Sequence, residues 1–172
     1  MLTFQDYYER EIKPQIAAID IFLKSEEPPY DAEIVGELLD IPPKEWQQIL
    51  QEEKISFITR GIFFQLMKRG SSPLCGMFRR ATELYLPEAY TPEVIAYIFD
   101  LPIAAVRNAA QEIGKKTFTD AALPQIFSMI SAQITTPITI VVFSSRTRLS
   151  SAKIFLSVSI YSYFFFAKIL FP

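Results

Sequence analysis

Residues 90–114 read YTPEVIAYIFDLPIAAVRNAAQEIG, and this stretch decides the predicted fold. Thr91 can cap a first helix, in which apolar residues recur at helical spacing until Asp100 interrupts them. Pro102 disfavours helix at the residue before it and can open a second helix. Gly114 is the kind of residue that commonly ends such a helix. The stretch therefore predicts two short helices joined by a tight turn.

A second copy of this pattern lies sixty residues earlier in the chain. Residues 30–53 read YDAEIVGELLDIPPKEWQQILQEE, and they align with the downstream stretch without gaps. Asp40 then matches Asp100, and Gly36 takes the place of Ala96. Because two matches in a fixed register indicate an internal repeat, we expect both stretches to fold into the same unit.

Both stretches resemble the helix-turn-helix superfamily. That family has a small residue inside its first helix, here Gly36 and Ala96, where the second helix crosses close by. Its turn usually carries glycine, whereas the downstream stretch has Asp100, which tolerates left-handed backbone geometry better than most residues. The resemblance implies an all-α protein with tandem helix-turn-helix repeats at residues 30–53 and 90–114.

Composition excludes several classes of protein. The chain has 172 residues, of which 50% are hydrophobic, and a net charge of −2, so it can bury a core as one or two small domains. It contains no histidine, which removes the usual general base and the commonest metal ligand. Its one cysteine, Cys75, is predicted to be a buried or half-buried thiol. We therefore expect a protein that is not an enzyme and holds no cofactor or metal.

The acidic residues end abruptly along the chain. All nineteen lie at or before Asp120, and only basic charges follow it. This boundary divides the chain into a helical body, residues 1–133, and an apolar tail, residues 134–172. Within the body we expect an N-terminal helix that its proline kinks or splits, and connecting helices within residues 55–84, the first of them over residues 55–69. The chain opens on charged residues in place of a secretory signal, so we expect a cytoplasmic protein.

Three interpretations of the tail stay open. Residues 154–171 approach the ~20 mostly apolar residues that a membrane-spanning helix needs, and the basic residues before them would then lie in the cytoplasm. The β-branched residues of the tail are instead typical of strands. The loss of acidic residues and of helical periodicity also fits a disordered or non-native extension.

The helix-turn-helix resemblance implies that the second helix of each copy enters the major groove of duplex DNA. Arginine pairs with guanine, and asparagine or glutamine with adenine, so the outward polar residues of these helices are candidate base contacts. They are Arg107, Asn108 and Gln111 downstream, and Lys44, Gln47 and Gln48 upstream. The candidate phosphate contacts are Arg79, Arg80, Lys115 and Lys116. We therefore expect a DNA-binding transcriptional regulator.

A protein-interaction module is the alternative function. Affinity for DNA rests mainly on neutralised phosphates, yet the chain up to Asp120 carries nineteen acidic residues against thirteen basic ones. An acidic surface also suits a basic protein partner. An adaptor that uses the same helices therefore stays open, and it would be tethered to a membrane if the tail is an anchor.

Overall fold

A computed structural model describes residues 2–85 and 87–132 of the chain. These residues are mostly helical and contain no strand, which confirms the predicted all-α class for this part of the protein. Every helix in it is too short or too polar to cross a membrane. The predicted tail, residues 134–172, lies outside the described residues, and so does the candidate anchor at residues 154–171.

Short connections join the helices along the chain. In order they are α1 (Phe4–Tyr7), a π-helical turn (Tyr8–Ile12), α2 (Lys13–Ser25), α3 (Ala32–Leu38), α4 (Pro43–Glu52), α5 (Arg60–Arg69), α6 (Pro73–Glu83), α7 (Pro92–Phe99), α8 (Ile103–Ile113), a 3₁₀ turn (Asp120–Ala122) and α9 (Leu123–Phe127).

The N-terminal helical segment changes from π-helix to α-helix next to Pro14. The backbone N–H of Lys13 donates to the carbonyl of Tyr8, five residues back, and regular α-helix follows. Pro14 has no N–H to donate, so it fits at the start of α2 without breaking a hydrogen bond. The split expected near this proline is therefore a π-to-α transition.

Two helix pairs occupy the two matching stretches. We call α3 with α4 the upstream pair, and α7 with α8 the downstream pair. Each first helix has a side-chain N-cap, since the Asp31 carboxylate accepts from two backbone N–H groups and the Thr91 hydroxyl from one. Asp40 and Asp100 both adopt left-handed backbone geometry, with φ of 53° and 54°, as the sequence predicted for the turn. Gly114 ends α8 with φ of 73°.

Equivalent backbone hydrogen bonds form at the turn of each pair. Ile41 N–H donates to the Gly36 carbonyl at 2.9 Å, and Leu101 N–H donates to the Ala96 carbonyl at the same distance. The first helix of each pair is therefore closed off in the same way before the chain turns into the second.

The likeness between the two stretches extends beyond the predicted helices. Tyr30 forms an isolated antiparallel β-bridge with Ile58, and Tyr90 forms one with Phe118, sixty residues later in both partners. In each bridge the tyrosine N–H donates to its partner's carbonyl at 2.8 Å. Each bridge therefore ties the start of a helix pair to the segment that follows its second helix.

The bridge between Tyr30 and Ile58 shows that one predicted helix boundary is wrong. The connecting helix expected over residues 55–69 begins only at Arg60, because Ile58 pairs with Tyr30 and Thr59 caps α5. Phe57, which falls within that expected range, lies outside the helix with 69% of its surface exposed. The later connecting helix, α6, begins at Pro73 and lies within the predicted range of residues 55–84.

Complementary side-chain volumes occupy the place where the two helices of each pair cross. A β-carbon on Gly36 would lie 2.5 Å from Trp46 Cδ1, so only glycine leaves room for the indole ring. The equivalent residues of the downstream pair are Ala96 and Val106, both buried. Compared with the upstream pair, the downstream pair thus has a larger residue on its first helix and a smaller residue on its second helix.

The N-terminal helical segment joins the two pairs. Near its start, Phe4 packs edge-on against Phe127 of α9, with ring centroids 4.9 Å apart. Near its end, Phe22 packs against Tyr30, with centroids 5.0 Å apart. Phe4 N–H also donates to the Ile130 carbonyl at 2.7 Å. The segment therefore packs on the upstream pair at one end and on the downstream region at the other, within one hydrophobic core.

Candidate nucleic-acid interface

Helix α8 separates its apolar and polar residues onto opposite faces. Its inward residues, Val106, Ala109 and Ala110, are at most 3% exposed. Arg107, Asn108 and Gln111 are exposed. Because residues three and four positions apart are neighbours on a helix surface, Gln111 lies next to both Arg107 and Asn108, and the three side chains form one polar patch. The structure thus places the downstream candidate base contacts together on the solvent side of the helix.

Arg107 has one partner within the described residues. Its Nε donates to Glu93 Oε1 at 3.0 Å, and the two side chains are 61% and 56% exposed. Glu93 lies in the first turn of α7, next to the capping residue Thr91. Its own backbone N–H, then the Arg107 guanidinium and the Thr91 hydroxyl, lower the pKa of the Glu93 carboxyl. The sequence alone did not indicate that this carboxylate faces the arginine.

Two candidate phosphate contacts follow the end of α8. Lys115 and Lys116 come directly after Gly114, and both are exposed. Lys115 N–H donates to the Ala110 carbonyl at 3.2 Å, so this lysine is fixed by its backbone to the last turn of the helix. Both lysines therefore follow the C-terminal end of α8 directly and are open to solvent.

Helix α4 also exposes its candidate base contacts. Lys44, Gln47 and Gln48 all lie on its solvent side. Gln48 Nε2 donates to Glu52 Oε1 at 2.8 Å, which places a carboxylate within reach of this face. The solvent side of α4 therefore presents two amide side chains and one lysine, with the negative charge of Glu52 next to them.

The acidic residues of α4 have partners inside the protein. Glu45 accepts from both the N–H and the hydroxyl of Ser71, at 2.7 and 2.6 Å. Glu52 and Glu53 accept from the two terminal nitrogens of Arg69, each at 2.6 Å. The adjacent carboxylates of Glu52 and Glu53 thus converge on one guanidinium. These contacts hold α4 to the corner between α5 and α6.

Arg79 and Arg80 are half-buried, whereas the sequence predicted them to point outward. Arg79 Nη1 donates to the Lys68 carbonyl at 3.1 Å, and Arg80 Nε donates to the Ile98 carbonyl at 3.0 Å. Both acceptors belong to the last turn of a helix, where carbonyls have no partner within the helix and a cation is favourable. The structure gives these two arginines a packing role that the sequence pattern did not reveal.

Charge differs strongly between the two pairs. Residues 30–58 contain seven acidic and two basic side chains, whereas residues 90–118 contain three of each. An interface for a polyanion needs positive charge that is not offset nearby. The downstream pair is therefore the better electrostatic candidate of the two.

Cys75 is fully buried and lies outside both pairs. Burial raises the pKa of its thiol to about 11. The reactive form of cysteine is the thiolate, so this side chain is suited to packing and not to nucleophilic chemistry.

The chain was compared with protein-family models, with curated proteins and with solved structures, and none of them matches.

Proposed function

We propose that this protein is a helix-turn-helix DNA-binding protein, acting as a transcriptional regulator, in which the downstream pair contacts duplex DNA. The single observation that supports it is the polar patch of Arg107, Asn108 and Gln111 on the exposed face of α8. An α-helix fits the major groove, and these three residue types form paired hydrogen bonds with guanine or adenine.

In this proposal the phosphate contacts come from Lys115 and Lys116. They are exposed at the end of the same helix, so they can contact the backbone beside the groove that α8 occupies. Arg79 and Arg80, the other candidates, already donate to the carbonyl ends of two helices. We therefore assign them to holding α5 and α7 in place and only the lysines to DNA.

The upstream pair has a secondary part in this proposal. Lys44, Gln47 and Gln48 are exposed on α4, but the seven acidic residues of this stretch would repel phosphate. We expect these three side chains to contribute less to affinity than those of α8.

The salt dependence of binding tests the proposal. The full chain is incubated with random duplexes, bound sequences are selected, and Kd is then measured over a series of salt concentrations. If Lys115 and Lys116 each neutralise one phosphate, the double variant K115A/K116A should reduce the slope of log K against log salt by about 1.8. The double variant K44A/K54A removes the same charge from the upstream pair and should change the slope less.

Two results would contradict the proposal. One is the absence of salt-dependent binding to any duplex by the unmodified protein. The other is an equal loss of slope in both double-lysine variants, since that would mean that no particular face of the protein binds the DNA.

A protein-interaction module is the second candidate, and the charge of the upstream pair favours it. Glu33 and Glu37 are exposed on α3, within a stretch that carries seven acidic and two basic side chains. A basic protein partner would be attracted to such a surface. In a nuclease-treated pull-down, E33K/E37K should lose a stoichiometric partner that the matched charge variant E26K/E27K keeps. Equal retention by both variants would exclude this surface.

A further inference from the structure

Arg107 can present only part of its guanidinium to a ligand. A guanidinium has five N–H donors, and in Arg107 the one on Nε donates to Glu93 Oε1 at 3.0 Å. The described residues provide no other acceptor for this side chain, which remains 61% exposed. Its two terminal nitrogens therefore stay available, whereas the edge that contains Nε is occupied.

Glu93 occupies a position that favours its negative charge. It lies in the first turn of α7, where the backbone N–H groups of a helix favour negative charge. Its own backbone N–H, the Arg107 guanidinium and the Thr91 hydroxyl lower the pKa of this carboxyl, which favours its charged form. A charged carboxylate at a helix start can orient a flexible arginine on the neighbouring helix through their ion pair.

We infer that Glu93 is a positioning residue that restricts Arg107 to end-on contact with guanine, so that the downstream pair selects guanine at one position of its site. This inference rests on the proposed DNA-binding function and identifies which base one residue reads. Guanine offers two acceptors, O6 and N7, in the major groove, and the two terminal nitrogens of arginine match them. An arginine that is already held on its Nε side loses less rotamer freedom when it binds these two acceptors.

The upstream pair provides an internal comparison. Glu33 takes the position of Glu93, but Gln47 takes the position of Arg107. A neutral amide at that place forms no ion pair with the carboxylate. The positioning of an arginine is therefore specific to the downstream pair, although the two backbones repeat each other.

The experiment compares base discrimination among single variants of the full chain. A duplex selected by the unmodified protein is re-synthesised with each base pair replaced in turn, and the ratio of Kd values is measured for every position. R107A should lose discrimination for one guanine by about tenfold. E93A should lose about two- to fivefold at the same position, because the arginine remains but is no longer held.

Two control variants separate positioning from charge. E93Q keeps an oxygen that accepts from Nε and should retain most of the guanine preference. E112A removes an equal charge from an exposed position on α8 itself, and it should tighten binding to all duplexes without changing the preference.

The possible failures are distinguishable. If the unmodified protein binds no duplex, the proposed function falls and the assignment of guanine falls with it. If it binds and selects a sequence, but E93A discriminates as well as the unmodified protein, the positioning role of Glu93 alone is overturned. The same conclusion follows if E112A loses as much guanine preference as E93A.

Discussion

Alanine at position 36 should destabilise the native protein and stabilise a variant that carries valine at position 46. In the native protein a β-carbon on Gly36 would lie 2.5 Å from Cδ1 and 2.6 Å from Nε1 of Trp46. These are atoms of a rigid ring, so the indole or the backbone of α3 must move. The crossing of α3 and α4 therefore tolerates either the methyl group or the indole at its present separation, but not both.

Two opposing effects set the size of the change. Overfilling a packed site costs about 1–3 kcal/mol. Alanine is about 1 kcal/mol more favourable than glycine inside a helix, and position 36 lies within α3. G36A should therefore lower the free energy of unfolding by about 1 kcal/mol in the native background. With Trp46→Val the overlap is removed, and the same substitution should raise it by about 1 kcal/mol.

Urea unfolding followed by circular dichroism measures all four proteins of this cycle. A change of 1 kcal/mol corresponds to ~2–4 °C in Tm for a chain of this size, so thermal unfolding provides a second readout. The reverse substitution A96G, in the downstream pair, should cost about 1 kcal/mol and serves as a control for helix propensity. If G36A changes stability in the same direction whether residue 46 is tryptophan or valine, steric overlap with the indole does not determine the effect of this substitution.

Three further predictions concern single side chains. The backbone at Asp100 is left-handed, with φ of 54°, a conformation that alanine tolerates poorly and glycine tolerates well. In urea unfolding, Asp100→Ala should therefore lower the free energy of unfolding by about 1 kcal/mol, whereas Asp100→Gly should not lower it. Burial raises the pKa of Asp120 above its ordinary 3.8, against a smaller opposite effect of the Tyr90 hydroxyl. The folded state therefore binds this proton more tightly, and stability should fall as pH rises from about 3.8 through the raised pKa. Asp120→Asn should lack this fall, and matching pH profiles of the two proteins would contradict the assignment. Cys75, with a pKa of about 11, should react with a thiol reagent at pH 8 only as fast as the protein unfolds, so rapid labelling without urea would exclude its burial.

Local sequence signals predicted the helix pairs because each signal acts within a few residues. Thr91 caps α7 through the N–H of Val94, and Pro43 begins α4, both through backbone chemistry that the sequence shows directly. Asp100 was expected to adopt left-handed geometry because few other residue types tolerate it, and it does so.

Contacts between residues distant in the chain were not predictable in the same way. Ile58 lies in an apolar run that resembles a helix, and only its pairing with Tyr30 shows otherwise. Arg79 and Arg80 have the composition of a phosphate-binding patch, yet each donates to a carbonyl about ten to twenty residues away. No local pattern marks which helix end lacks a partner, so the sequence could not distinguish a capping arginine from a free one.

Different contacts hold the second helix of each pair to the rest of the protein, and this difference accounts for two of the four acidic residues by which residues 30–58 exceed residues 90–118. In the upstream pair Glu45 binds Ser71, and Glu53 binds Arg69.

Sixty residues later the positions of Glu45 and Glu53 are occupied by Ala105 and Ile113, which are half-buried against the core. Apolar packing therefore takes the place of these two carboxylates on α8, and Glu112 is the one acidic residue of this helix. With Ala105 and Ile113 in place of Glu45 and Glu53, α8 would repel phosphate less than α4, and this difference favours α8 in the proposed contact with DNA.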